Sequence, residues 1–291
     1  MPSRGGIADP MRLAAVFCVY NEEEYLAYAV RAVLPAVEAC VICLGQVPYT
    51  AYTTEAPETY PPDRTEAIVD ALAREFPQKI HVLKDRWPSQ IEHREAALAR
   101  CLALGMDYYF LVDGDEVYRA DHLATIRATI QQRPSVGTFI VKCHTFWRSF
   151  RYRILPETLT WRPRRIFKLT RHRRILGLPF PHSLRFPGIN DLNSLGPVYE
   201  FHPKDALFYH FSYARSPEKM REKLSTFPHA QEILSGWYTR VWQAWPQHRE
   251  MPNIHPTDPP KFPRAVPHDL ADLPEVMRTH PYYALEIIDG R

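Results

Sequence analysis

The sequence predicts an α/β protein built on a mostly parallel, doubly wound sheet. Three observations carry that expectation. Strand-length apolar runs alternate with segments of helical periodicity from Leu13 to Val112. The connections between them are short and polar, apart from Gln46 to Pro62. One apolar run, Tyr108-Tyr109-Phe110-Leu111-Val112, stops abruptly at Asp113-Gly114-Asp115-Glu116. Acid at the end of a buried strand lies where open α/β sheets take their ligands, outside the carboxyl edge.

Leu13 to Val19 reads as the first strand, followed by Tyr20-Asn21-Glu22-Glu23-Glu24 and a helix with Leu26, Ala29, Val30 and Val33 on one face. Asn21 is suited to N-cap that helix, and the acids suit its first turn. Ala39 to Leu44 is the second strand. Cys40 and Cys43, three apart within it, should point to opposite faces and pack as a buried structural pair. A helix from Asp63, with Asp63 and Glu66 at capping-box spacing, precedes a third strand at Lys79 to Leu83. A third helix spans Ile91 to Leu104 and closes at Gly105. The loops after Val19 and Val112 would then open on the same edge of the sheet.

Beyond Glu116 the pattern predicts a helix at Ala120 to Gln132 and strands at Val136 to Cys143, Arg164 to Leu169 and Leu207 to Phe211. Gly177 to Pro203 reads as a loop folded over a site. Ser216 and Pro217 open a helix with Lys219 and Lys223 one turn apart. From Trp245 onward proline is too dense for a helix or an interior strand. That part is expected to be an extended strap, anchored by Trp237, Trp242 and Trp245 and ending in a short helix near Leu273 to Met277.

Composition narrows the class. Apolar content of 45% and charged content of 24% are those of an ordinary globular protein. No run approaches the roughly 20 apolar residues of a membrane span, and no N-terminal secretion signal is visible, so a cytoplasmic protein is expected. Five scattered cysteines argue against a disulfide framework. No Gly-x-Gly-x-x-Gly follows the first strand and no Walker A sequence occurs. Between Lys142 and Arg174, eleven Lys and Arg face the single Glu157, a surplus of ten positive charges interleaved with Phe146, Trp147, Phe150, Tyr152 and Trp161. Such a stripe points to an anionic partner.

The acidic turn has a chemical reading of its own. Two carboxylates one residue apart can hold a hard divalent cation, and such a cation neutralises a diphosphate. Together with Tyr20-Asn21-Glu22 after the first strand, Arg94 before the central strand, and His210 followed by a Lys-bearing helix, this turn resembles the family 2 glycosyltransferases of the GT-A fold. The nearest likeness is to the bacterial branch with an Asp-x-Asp-Glu signature that includes lipopolysaccharide-core glucosyltransferases. The resemblance implies a GT-A domain over 12–227, with a nucleotide-sugar half at 12–116 and an acceptor half at 117–227, and a helical, Pro-rich C-terminal extension at 228–291.

By that resemblance Tyr20, Asn21, Glu22, Asp85, Arg94 and Asp113 would line the donor site, with Arg215, Lys219 and Lys223 as further cations. Asp113, Asp115 and His210 would hold Mn²⁺ or Mg²⁺. His182, Arg164, Arg165 and Trp147 would meet the acceptor. In the lipopolysaccharide branch a His-Glu pair supplies a plausible base; here the match is His182-Ser183, and serine cannot deprotonate a hydroxyl unaided. Glu116, Asp191 and Glu200 are the replacement candidates, with Asp205 nearby. The implied activity is hexose transfer from a nucleotide sugar, UDP-glucose or similar, to a hydroxyl of a glycan or lipopolysaccharide. A hydroxymethylated base in DNA ranks second as acceptor. A non-catalytic binder of anionic glycan or DNA, and a nucleotidyltransferase, stand as alternatives.

Overall fold

The computed structural model describes residues 11–46, 61–87, 90–155, 162–169, 197–226 and 230–289. The chain opens with β1 (Leu13–Val19), α1 (Leu26–Val33), β2 (Ala39–Gly45), α2 (Thr65–Glu75), β3 (Ile80–Asp85), α3 (Gln90–Ala103) and β4 (Tyr108–Leu111). After the acidic turn come β5 (Glu116–Tyr118), α4 (Ala120–Gln132), β6 (Thr138–Ile140), β7 (Lys142–Trp147), β8 (Ser149–Leu155) and β9 (Arg164–Lys168). Then follow β10 (Val198–Glu200), β11 (Leu207–Tyr213), α5 (Pro217–Thr226) and β12 (Arg264–Pro267), with short 3₁₀ turns and one π-helical turn, Tyr238–Gln243, in the last part.

The central sheet has the order β10-β6-β9-β4-β1-β2-β3. Its pairs β4-β1, β1-β2, β2-β3 and β10-β6 are parallel, and β9 is antiparallel to both neighbours. This is the mostly parallel, helix-flanked α/β sheet that the alternation predicts. Period-two burial shows why it forms. Leu13, Ala15 and Phe17 pack with Cys40, Ile42 and Phe110 against α1, α2 and α4 on one face. Ala14 and Val16 pack with Val41, Cys43, Tyr109 and Leu111 against Ala97, Leu98 and Cys101 of α3 on the other. Cys40 and Cys43 do lie on opposite faces. Because β1 and β4 are parallel neighbours, the loops that leave their carboxyl ends lie side by side.

A second sheet, β12-β8-β7-β11-β5, stands beside the first. The Val136 to Cys143 run, read as one strand, is divided between the two sheets: β6 joins the first and β7 the second. Strands β5 and β8 also extend a region the sequence pattern left unassigned. Both are short or carry arginines at alternate positions, so neither presents an apolar run. The second sheet packs on Trp147, Trp237, Trp242 and Trp245, which form a buried cluster with Ile154 and Ile254. In the Pro-dense part, β12 pairs with β8, and the final turn is 3₁₀ over Glu275–Thr279. Among the described residues no helix is long and apolar enough to cross a membrane.

Two expected helix starts differ. Asn21 does not cap α1, whose first residue is Leu26. It sits instead in the left-handed region at φ 48°, which asparagine tolerates better than most residues. Asp63 lies just ahead of α2 and accepts from the Thr65 N–H at 2.8 Å, while Glu66 turns away to Lys84.

Candidate active site

The site begins at the turn that joins β4 to β5. Gly114 lets this turn approach the loop after β1 closely: a Cβ at Gly114 would lie 3.1 Å from Cβ and Cγ of Glu22 and 3.3 Å from Val19 Cγ1. The acidic turn and the Tyr20–Glu22 loop are thereby pressed together at the carboxyl edge.

The carboxylates of the turn have two different sets of partners. Glu116 is fully buried and accepts from Arg165 on β9, which also donates to Asp113 at 3.2 Å. Burial works against charge on Arg165, but the carboxylates of Glu116 and Asp113 outweigh it and hold the guanidinium charged. Asp113 keeps a side chain that is 42% exposed. Asp115 is almost enclosed. Its Oδ2 accepts from Arg215 Nη2 at 2.7 Å and Lys223 Nζ at 2.9 Å, and its Oδ1 faces His210 Nε2 at 3.5 Å. Burial opposes ionisation of Asp115, yet the charges of Lys223, His210 and Arg215 outweigh burial and hold the carboxyl well below its usual range.

Arg215 also donates to Glu22 at 2.8 Å, joining the two loops. Glu22 is pushed up to about 7, chiefly by burial, against the pull of Arg215. Helix α5 completes the enclosure. Ser216 Oγ accepts from the Lys219 N–H, Lys219 Nζ donates to Asp63 at 2.5 Å and Glu222 at 3.0 Å, and Asn21 Nδ2 donates to Glu222 at 2.5 Å. Arg215, just ahead of α5, and Lys219 and Lys223, one turn apart on it, therefore lie over the loops after β1 and β4.

Sequence reasoning named most of this group: Asn21, Glu22, Asp115, His210, Arg215, Lys219 and Lys223 converge. Other expected residues have different places. Arg94 is buried on α3. Asp85 is exposed at the end of β3, and Tyr20 is half-buried. Trp147 is fully enclosed in the tryptophan cluster, and Arg165 is locked beneath the acidic turn, so neither side chain meets an acceptor in this conformation. Arg164 is half-buried on β9. Glu200 is held by Lys142 at 2.9 Å and by Arg162. Burial raises its pKa, but those hydrogen bonds prevail and keep it low. His182 and Asp191 lie outside the described residues.

Asp63, Glu222 and Glu24 were missed. Glu24 accepts from Tyr282 Oη at 2.7 Å and from the Ser216 N–H at 3.1 Å. No local pattern joins residues so far apart; the only available hint was the excess of acids near Asn21.

For a divalent cation, Asp115 and His210 fit better than the full expected trio. Their 3.5 Å separation is long for a hydrogen bond. It is short enough for two ligands of one ion with bonds of about 2.1 Å each. Asp113 is turned to Arg165.

No protein-family model matches the chain, and no curated protein matches it. Among solved structures, Staphylococcus aureus TarS 1-349 in complex with UDP is similar at 15% identity and a TM-score of 0.41, covering 76% of this chain and 65% of that one. GalNAc-T7 with UDP, GalNAc and Mn²⁺ gives 11%, 0.36, 47% and 24% in the same order. The mannosyltransferase PcManGT from Pyrobaculum calidifontis in complex with GDP-Man and Mn²⁺ gives 14%, 0.34, 46% and 36%. The chain thus spans less than two thirds of the length of each.

Proposed function

We propose that this protein is a glycosyltransferase that moves a hexose from a nucleotide sugar, UDP-linked, to an acceptor hydroxyl with inversion. The observation that carries the reading is the enclosure of Asp115 by Arg215, Lys223 and His210 at the carboxyl edge of a parallel sheet. Cleaving a sugar–diphosphate bond leaves growing negative charge on phosphate oxygens, and positioned cations stabilise that charge. Arg215 is enclosed and held charged by the carboxylates of Glu22 and Asp115, which strengthens its effect, and Lys223 stands beside it. Asn21 and Glu22, on the loop pressed against the acidic turn, are assigned to the nucleoside, with Tyr20, Asp85 and Arg94 as further donor contacts.

A divalent cation, Mn²⁺ or Mg²⁺, held by Asp115 and His210 would supply Lewis-acid stabilisation to the departing diphosphate. Arg165 and Glu116 keep Asp113 and Asp115 in register beneath the donor. The acceptor proton is assigned to Asp191, since Glu116 is enclosed by Arg165 and Glu200 is held by Lys142 and Arg162. The acceptor is a glycan or other hydroxyl-bearing polymer, approached past the half-exposed arginines of β8 and β9.

The reading is tested by thermal shift with UDP, GDP, CMP and dTDP, each with and without Mn²⁺. A nucleotide that binds only the folded state raises the midpoint according to RT ln(1 + [L]/Kd). One nucleotide stabilising the protein more strongly with metal is the expected result. Failure of all four on folded protein would sink the reading.

A further inference from the structure

A second group of ligating side chains lies on the α3 face of the central sheet. Cys18 on β1 and Cys43 on β2 are direct register partners, and His93 on α3 lies over them. Their ligand atoms are all within 4.8 Å of one another, the one such convergence of three His, Cys, Asp or Glu among the described residues. From the convergence of Cys18, Cys43 and His93 we propose that this is a zinc site that ties β1, β2 and α3 together.

The three side chains supply three of the four positions of a tetrahedral ion and leave the fourth to a water. Zn–S bonds are about 2.3 Å, so a tetrahedral site needs sulfurs roughly 3.8 Å apart, a contraction of at most about 1 Å. Nε2 of His93 is 2.7 Å from the Cys43 carbonyl, and Trp87 stacks on the ring at 4.4 Å between centroids. A ring fixed by a carbonyl through one nitrogen is how metal-bound histidines are generally oriented.

The charge balance favours the ion despite the apolar setting. Binding breaks two S–H bonds, forms two S–Zn bonds and releases two protons to solvent. Two thiolates, one neutral imidazole and Zn²⁺ sum to zero, so no net charge is buried. The titratable and charged groups facing the cluster are Cys40 and Cys101 beside Cys43, Tyr109, and Arg94 beside His93 and Tyr109. Cys18 is the half-buried member of the three.

The test uses the whole protein. After equilibration with Zn²⁺ and removal of free metal, one zinc per chain is expected. Substitution by Co²⁺ should give thiolate charge-transfer absorption and the strong visible bands of a tetrahedral site. Cys18→Ser and Cys43→Ser should each weaken binding by more than about 100-fold, while Cys143→Ser, whose thiol packs elsewhere, should not. Because the serine variants could fold poorly, the native chain provides a second readout. Bound zinc should slow alkylation of Cys18, measured by peptide mapping, by about tenfold or more. Zinc retained equally by both serine variants would overturn the assignment. So would a folded native protein that keeps no metal and whose Cys18 alkylation is indifferent to zinc.

Discussion

The two sides of the acidic turn hold their carboxylates differently. On the β9 side, Arg165 is shared by Glu116 and Asp113, and the Glu116 pair is wholly enclosed. On the α5 side, Asp115 faces two permanent cations and a histidine, one of which it shares with Glu22. The first arrangement is saturated by its own partners and holds the turn in place. The second shares Arg215 among Asp115, Glu22 and Glu24, adds Lys223, and lies against the Asn21–Glu22 loop. Adjacent residues of one motif therefore divide into a brace and a binding surface.

That division can be broken first at Asp115. Asp115→Asn should reduce sugar transfer by about 100-fold or more, the scale for loss of a group that organises charge at a reacting centre. Because Arg215 keeps Glu22 and Glu24 as partners, the variant's loss of stability should be smaller than that of Glu116→Ala. The brace should behave in the opposite way. Glu116→Ala leaves Arg165 buried without its main counter-charge and should destabilise by about 3–5 kcal/mol. Denaturant unfolding followed by circular dichroism measures this, and a shift below about 1 kcal/mol would contradict the structural role.

A pH series sharpens the comparison further. The Glu22 carboxyl titrates near 7 in the folded chain, above its ordinary 4.5. Native protein then binds more protons than unfolded protein between those values, so the Glu22 contribution makes stability fall as pH rises from 4.5 to about 7. Asp115, held low, contributes stability that is present above its ordinary 3.8 and is lost only as pH falls below it. Glu22→Gln should flatten the slope between about pH 5 and pH 8. An unchanged slope in unfolding measurements would remove Glu22 as its source.

Smaller effects lie further out. Tyr282→Phe deletes the hydroxyl that donates to Glu24 and should cost about 1 kcal/mol, read from the denaturant midpoint. Because Glu24 also receives the Ser216 N–H ahead of α5, the same change should lower transfer more than it raises the apparent KM for donor. Arg162→Ala, at a side chain that is 60% exposed, should alter stability by less than about 0.5 kcal/mol.

The first half of the fold was legible because β1, β2 and β4 are buried on both faces and α1 and α2 have one apolar side. Such patterns survive in the residue order alone. The second sheet was less legible. Strand β8 carries Arg151 and Arg153, and the six residues of β7 lie beside the break from β6, so apolar runs neither start nor stop where the strands do. In the site, the acidic turn and the lysine helix could be read from local spacing. The arginine beneath the turn and the acids facing α5 could not, since Arg165 is separated from Glu116 by 49 positions and Glu222 from Asn21 by 201. Only the β4–β9 pairing and the return of α5 over the first loop bring those charges within reach.

The contact at Gly114 has a further meaning for how the molecule could be tuned. With hydrogen in place of a side chain, the spacing between the two loops is set by the Glu22 methylene itself. Position 114 is thus a natural caliper. A single methyl there would act as a shim between the Asn21–Glu22 loop and the acidic turn, changing their separation by tenths of an ångström without altering any charge.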